Sequence, residues 1–216
     1  MPLVALDLDG TLVDQAAAAR EWAEEFIAYW DLPLTASADI AGALTQRRPK
    51  GEIFAALATT WSLPVTGVEL WQDYRRRMPE LVRCTDADAN ALRELRSAGW
   101  TLGIVTNGMA DNQEGKIRST GLANLVDGWV VSEAVGYRKP EAKIFSALAA
   151  HLDCTLEGWM IGDSPEHDIA GGAAAGLRTA LIISGDPATD DSAIRPTITA
   201  ASVAEAAAVI LTAAAR

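Results

Sequence analysis

Cysteine is scarce in this chain. The only two in 216 residues, Cys84 and Cys154, lie far apart with no C-x-x-C or Cys/His spacing around either. A disulfide framework and a zinc site are therefore disfavoured, and buried free thiols are expected. Long apolar runs are also missing. Half of the residues are hydrophobic, yet no stretch reaches the roughly 18 residues that a membrane span needs. The N-terminus passes into a strand pattern with no basic region or cleavage signal, so a soluble, cytoplasmic protein is expected. Basic residues are in deficit: 18 Lys and Arg face 29 Asp and Glu, a net charge of −11. Such a surface repels nucleic acid and anionic membranes, and neither is an expected partner. An anionic substrate would need a cation or an arginine cluster to meet it. No internal repeat is visible.

Against this background one stretch stands out, Val4-Ala5-Leu6-Asp7-Leu8-Asp9-Gly10-Thr11-Leu12-Val13-Asp14. Its apolar start reads as a strand buried on both faces of a parallel sheet, which tolerates no charge, so Asp7 and Asp9 belong at its end. Period-two alternation points both carboxylates the same way, toward the carboxyl edge of the sheet where open α/β folds bind ligands. Two anions there need a shared proton, a bound cation or different environments.

From Gln15 to Cys84 the pattern is helical, with candidate helices Ala16–Trp30, Ser37–Leu44, Glu52–Trp61 and Val68–Met78. Trp22, Trp30, Trp61 and Trp71 are expected to supply the core of this small module. Between its second and third helices lies a basic stretch, Thr45 to Gly51, read as a loop because Pro49 and Gly51 punctuate it. After Cys84, strands and helices alternate. Helix Asp86–Ala98 leads to strand Thr101–Val105, helix Asn112–Thr120 to strand Trp129–Val131, and helix Glu141–His151 to strand Trp159–Ile161. Helix Asp168–Ala175, strand Thr179–Ile183, a polar loop Gly185–Pro196, strand Thr197–Thr199 and helix Val203–Ala215 complete the chain. Repeated crossovers of this length build a parallel sheet with helices on both faces.

Three of these strands end in polar groups: Asp7 and Asp9, Thr106-Asn107, and Gly162-Asp163-Ser164 with Asp168 beyond. In a parallel sheet they converge on one edge, and Lys139, one of only four lysines, lies in a loop able to join them. The set suits phosphoryl transfer. Asp7 and Asp163 are hard oxygen donors for Mg²⁺; a carboxylate beside it can attack phosphorus, and Asp9 can move protons to the leaving oxygen and from water. Thr106, the Asn107 N–H and Lys139 can hold the remaining phosphoryl oxygens.

The four segments Asp7 to Asp14, Thr106-Asn107-Gly108, Arg138-Lys139-Pro140 and Gly162-Asp163-Ser164 through Asp168 resemble, in order, the four motifs of the haloacid dehalogenase superfamily. The resemblance implies an α/β fold, a modified Rossmann parallel sheet of strand order 5-4-1-2-3 formed by residues 1–14 and 85–216, with residues 15–84 inserted as a helical cap. It implies Asp7 as nucleophile and Asp9 as general acid/base whose carbonyl also binds Mg²⁺. Thr106, Asn107 and Lys139 become phosphate ligands, Asp163 completes the metal site, and Asp168 is an outer ligand or a support for Lys139. The implied activity is a Mg²⁺-dependent phosphatase acting on a small soluble phosphomonoester through an aspartyl phosphate. The alternatives are a phosphosugar mutase of the β-phosphoglucomutase type and, from another class, a non-catalytic binding or regulatory module of the same fold. The dehalogenases themselves lack an acid at the position of Asp9. Within the cap, Arg47, Arg48 and Lys50 are the expected substrate-selecting residues, since arginine grips a second carboxylate or phosphate bidentately. The oligomeric state leaves no trace in the sequence.

Overall fold

The computed structural model describes residues 1–46, 48–183 and 194–214. The chain divides into two compact units, Met1–Val13 with Cys84–Arg216, and Asp14–Arg83.

Among the described residues of the first unit six parallel strands form one sheet: β1 (Leu3–Leu6), β2 (Thr101–Thr106), β3 (Gly128–Val131), β4 (Gly158–Gly162), β5 (Arg178–Ile182) and β6 (Ile198–Ala200). Their spatial order is β3-β2-β1-β4-β5-β6, which contains the 5-4-1-2-3 arrangement and extends it by one edge strand. β1 is central, with Leu6 opposite Ile104 on one side and Ile161 on the other. All four of its residues are fully buried, which explains why they are apolar without alternation. On one face Leu3, Ala5, Val105, Val130 and Met160 pack with Ile144, Phe145, Leu148 and Ala149, the apolar stripe of the helix Ala142–His151.

The connecting helices in that unit start where sequence chemistry lets them. In the helix Asp86–Ser97, Thr85 caps the first turn by accepting from the Asp88 N–H at 3.1 Å. The helix Ala110–Ser119 follows β2 and carries residues that prove central below. The expected helix Asp168–Ala175 is instead a π-helical turn, Pro165–Ala170, followed by one α turn, Gly171–Ala174. A widened turn of this kind leaves no signature in apolar periodicity, and such turns occur often at functional sites. The polar loop expected at Gly185–Pro196 falls mostly outside the described residues.

Among its described residues the second unit contains four helices, Gln15–Tyr29, Ala36–Thr45, Lys50–Thr60 and Gly67–Leu81. Asp14 caps the first through the Ala17 N–H at 2.8 Å. The last begins with a capping box in which Thr66 and Glu69 satisfy each other's N–H groups. It runs through Pro79 to Leu81, three residues past its expected end, so this proline is accommodated in the final turn. The tryptophan core needs correction. Trp22 alone of the four is fully buried, stacked at 4.8 Å on Phe26 and edge-on to Phe54 and Tyr74. Trp30, Trp61 and Trp71 are half-buried, and Phe54, Tyr74, Ile53 and Met78 complete the interior. Neither cysteine forms a disulfide, and both are half-buried, more accessible than expected. Among the described residues no helix is long and apolar enough to cross a membrane.

Candidate active site

Asp7 extends the central strand by one residue, its N–H donating to the Ile161 carbonyl at 2.9 Å. The neighbouring strands end alongside it, β2 with Thr106 and β4 with Gly162, Asp163 and Ser164. Sheet register thus gathers groups more than a hundred positions apart. Asp7, Asp163 and Asp168 bring carboxylate oxygens within 4.8 Å of one another. Lys139 stands among them: its Nζ is 2.5 Å from Asp7 Oδ1 and 2.6 Å from Asp168 Oδ1, with 3 % of the side chain exposed. The other oxygen of Asp168 accepts from the Ser164 N–H at 2.9 Å, so this buried carboxylate is held at both ends. Asn107 fixes the Lys139 backbone reciprocally, accepting from its N–H at 2.9 Å and donating to its carbonyl at 3.0 Å.

Close approach here depends on Gly10. Its φ of +87° suits glycine, and a Cβ at this position would lie 2.6 Å from Asp163 Oδ2. The turn between Asp9 and Val13 can therefore lie directly against the acidic cluster.

Burial pushes the Asp7 carboxyl well above the ordinary carboxylate range. Lys139 pulls it down, and Asp168 and Asp163 push it further up. Asp163 is also raised, first by burial and then by Asp168. Burial by itself would depress Lys139, but Asp7 and Asp168 outweigh it and the ammonium is held more firmly than in water. One lysine does not neutralise three converging carboxylates. The site has the excess charge and the hard oxygen donors that a divalent cation fits, and Mg²⁺ suits a set of one or two carboxylates with water.

Asp9 does not share these surroundings. Its carboxylate accepts from Lys116 Nζ at 2.8 and 2.9 Å and from Gln113 Nε2 at 3.1 Å, and Gln113 Nε2 also donates to Thr106 Oγ1 at 2.6 Å. Regular strand ends at Leu6, and an isolated bridge between Asp9 and Val13 takes over. The two aspartates have different partners: Asp7 shares Lys139 with Asp168, whereas Asp9 is held by Lys116 and Gln113. Gln113 and Lys116, both buried, were not read from the sequence. Their signal was the inward face of their helix, where Asn112, Gln113, Lys116 and Ile117 recur at helical spacing.

The basic stretch differs from its expected form. Arg47 lies outside the described residues. Arg48 forms an exposed pair with Glu52 at 3.6 Å. Lys50 and Gly51 are not loop residues but the first turn of the helix Lys50–Thr60, where Pro49 with φ −53° presets the helical entry. Lys50 Nζ donates to the Leu44 carbonyl, closing the preceding helix.

A family model described as haloacid dehalogenase-like hydrolase matches residues 4–182. The chain belongs to this family. Among haloacid dehalogenase-like relatives, it is 32% identical over 196 residues to a phosphoglycolate phosphatase of Cereibacter sphaeroides, covering 86% of each chain. It is 35% identical over 128 residues to a ribulose-1,5-bisphosphate 5-phosphatase of Halopiger xanaduensis, covering 59% of this chain and 51% of that one. The first matches among named relatives thus span about half of those proteins' lengths. The solved structure of the HAD-hydrolase YfnB of Bacillus subtilis, bound to magnesium, superposes with a TM-score of 0.81 at 26% identity, covering 97% of this chain and 98% of that one.

Proposed function

We propose that this chain is a Mg²⁺-dependent phosphatase that hydrolyses a small soluble phosphomonoester through an aspartyl phosphate on Asp7. The observation that carries this reading is the difference in partners between the two aspartates. A nucleophile and a proton carrier need different surroundings, and two residues apart in sequence Asp7 and Asp9 have them.

In the first step an Asp7 oxygen attacks phosphorus, the bond from phosphorus to the leaving oxygen breaks, and that oxygen takes its electron pair together with a proton from Asp9. In the second, water attacks the phosphorus of the aspartyl phosphate and gives a proton to the Asp9 carboxylate. The bond to Asp7 breaks, its electron pair returns to the carboxylate, and phosphate leaves. Thr106, the Asn107 N–H and Lys139 bind the equatorial oxygens, whose charge the fixed ammonium stabilises throughout. Asp7, Asp163 and the Asp9 carbonyl would hold Mg²⁺, supported by Asp168, and the ion would neutralise the carboxylates and polarise the phosphoryl group. The helical unit Asp14–Arg83 is read as the cap, and Arg48 and Lys50, with Arg47, as its contacts to the substrate's leaving portion.

The test is phosphate release from a panel of phosphorylated metabolites with Mg²⁺. Turnover of at least one, abolished by EDTA, is expected. Conversion of a hexose 1-phosphate to its 6-phosphate without net phosphate release would favour the mutase reading instead. The likeness to a β-phosphoglucomutase structure from Thermotoga maritima, with a TM-score of 0.78 at 17% identity, bears on the fold alone. Arg48→Ala should raise KM for the true substrate by one to two decades, as expected for a charged hydrogen bond of roughly 1.5–3 kcal/mol. It should change p-nitrophenyl phosphate hydrolysis little, since that ester offers the cap nothing to hold.

A further inference from the structure

Gln113 and Lys116 lie three residues apart on one face of the helix Ala110–Ser119, and each reaches a polar group at a strand end. The Gln113 side chain is 2 % exposed and uses its amide nitrogen twice, toward Asp9 Oδ2 and toward Thr106 Oγ1. The NH₂ end of this amide carries two hydrogens, one for the Asp9 oxygen and one for the Thr106 oxygen. The same NH₂ donates to Thr106, whose oxygen therefore accepts and whose own hydroxyl proton is directed elsewhere. A threonine in that state is a hydrogen-bond donor toward an anion at the strand end. Gly108 makes room for the arrangement, since a Cβ there would lie 2.8 Å from Gln113 Cγ.

Lys116 completes the hold. Its Nζ contacts both oxygens of Asp9, and 2 % of its side chain is exposed against 30 % for Asp9. The carboxylate is thus gripped from its buried side and reaches solvent on the other, where a substrate would stand.

We propose that Gln113 and Lys116 are positioning residues that act as one device, Lys116 aiming the Asp9 carboxyl at the leaving oxygen and Gln113 setting Thr106 as a donor to the phosphoryl group. This rests on the assignment of Asp7 as nucleophile and Asp9 as proton carrier, and it adds what orients them.

The test compares an alkyl phosphate, whose leaving oxygen needs a proton, with p-nitrophenyl phosphate, whose leaving group departs readily as the anion. The kcat/KM value reports steps up to aspartyl-phosphate formation, so it registers leaving-group protonation. For Lys116→Met the loss should grow with leaving-group basicity, about 10²-fold for the alkyl ester and no more than about tenfold for the aryl ester, in the range of general acid/base contributions. Lys116→Arg, which keeps a cation of similar reach, should recover most of the difference. Gln113→Glu keeps the size of the side chain but reverses its polarity, so it would accept the Thr106 proton. It should weaken inhibition by inorganic phosphate about tenfold, the equivalent of one lost hydrogen bond. Asp9→Asn is measured in the same series. If Asp9→Asn shows no leaving-group dependence, the underlying assignment of Asp9 fails. If Asp9→Asn shows it while Lys116→Met loses equally on both esters or not at all, or if Gln113→Glu leaves phosphate inhibition unchanged, the positioning device is overturned. Circular dichroism of each variant separates a misfolded protein from a misaimed one, and Lys116→Gln, for which the same loss is expected, stands in where Lys116→Met does not fold.

Discussion

Replacing Lys139 by methionine removes the ammonium from between two buried carboxylates while keeping most of the side chain's volume. In the native protein Nζ is 2.5 Å from Asp7 and 2.6 Å from Asp168, and the three side chains are 3 %, 10 % and 1 % exposed. Bulk water therefore compensates poorly for the lost partner. Breaking a buried pair by deleting one member costs about 3–5 kcal/mol, because a charge is left without compensation. In a unit of this size each kcal/mol lowers Tm by about 2–4 °C, so a fall of about 6–20 °C is expected at pH 7.5 in EDTA. The sign of the pH dependence follows from Asp7. Its carboxyl is raised already and is raised further in the variant, so the folded state keeps a proton that the unfolded chain releases. The variant then loses stability as pH rises from the unfolded carboxylate range, about 4, toward the elevated folded value, and regains it on acidification. The gap to the native protein should be widest at neutral pH, narrow toward pH 5, and narrow again when Mg²⁺ supplies the missing charge. Thermal unfolding at both pH values, with EDTA or Mg²⁺, reads all four conditions. A gap below about 1 kcal/mol at pH 7.5 in EDTA, or one that widens on acidification, refutes the buried-charge reasoning.

Three further outcomes are expected. Asn107→Ala deletes both hydrogen bonds that fix the Lys139 backbone, and at about 1 kcal/mol each it should lower kcat/KM by roughly 10- to 30-fold in steady-state assays; an unchanged value would mean that Lys139 needs no clamp. Burial and the nearby Asp88 and Asp86 carboxylates push the Cys84 thiol up to about 11, so only about one molecule in a thousand carries the thiolate at pH 8. Its alkylation by iodoacetamide should climb about tenfold per pH unit from 8 to 10, and a rate that levels off near pH 8.5 contradicts this. Thr66→Ala removes one half of the capping box and should destabilise the helical unit by about 0.5–2 kcal/mol in urea unfolding, whereas no change would show the cap to be redundant.

The parts of this molecule that the sequence discloses are those where one physical requirement dominates. Leu3–Leu6 and Thr101–Thr106 are buried on every side, so their composition alone marks central strands, and the polar residues that follow mark the ligand edge. Where requirements compete, the reading was incomplete. Lys116 looks like a solvated helix lysine until the fold shows Asp9 opposite it, although it shares the inward face of its helix with Asn112, Gln113 and Ile117. Proline and glycine usually interrupt helices, so the spacing predicts a loop at Lys50, yet Pro49 leads into a helix here. The π turn at Pro165–Ala170 brings Asp168 to Lys139, and nothing in apolar spacing distinguishes it from an ordinary helix start.

The central claim is that Asp7 carries the transferred phosphoryl group, and its most direct measurement is chemical. A phosphomonoester substrate incubated with Mg²⁺ and the Asp9→Asn variant, in which hydrolysis of the intermediate is slowed, is quenched in acid and the peptides are mapped by mass. One phosphoryl group is expected on the peptide containing Asp7, absent in EDTA, and no phosphate release from an Asp7→Asn variant. Phosphate release retained by Asp7→Asn, or a phosphoryl group found on another residue, would contradict it.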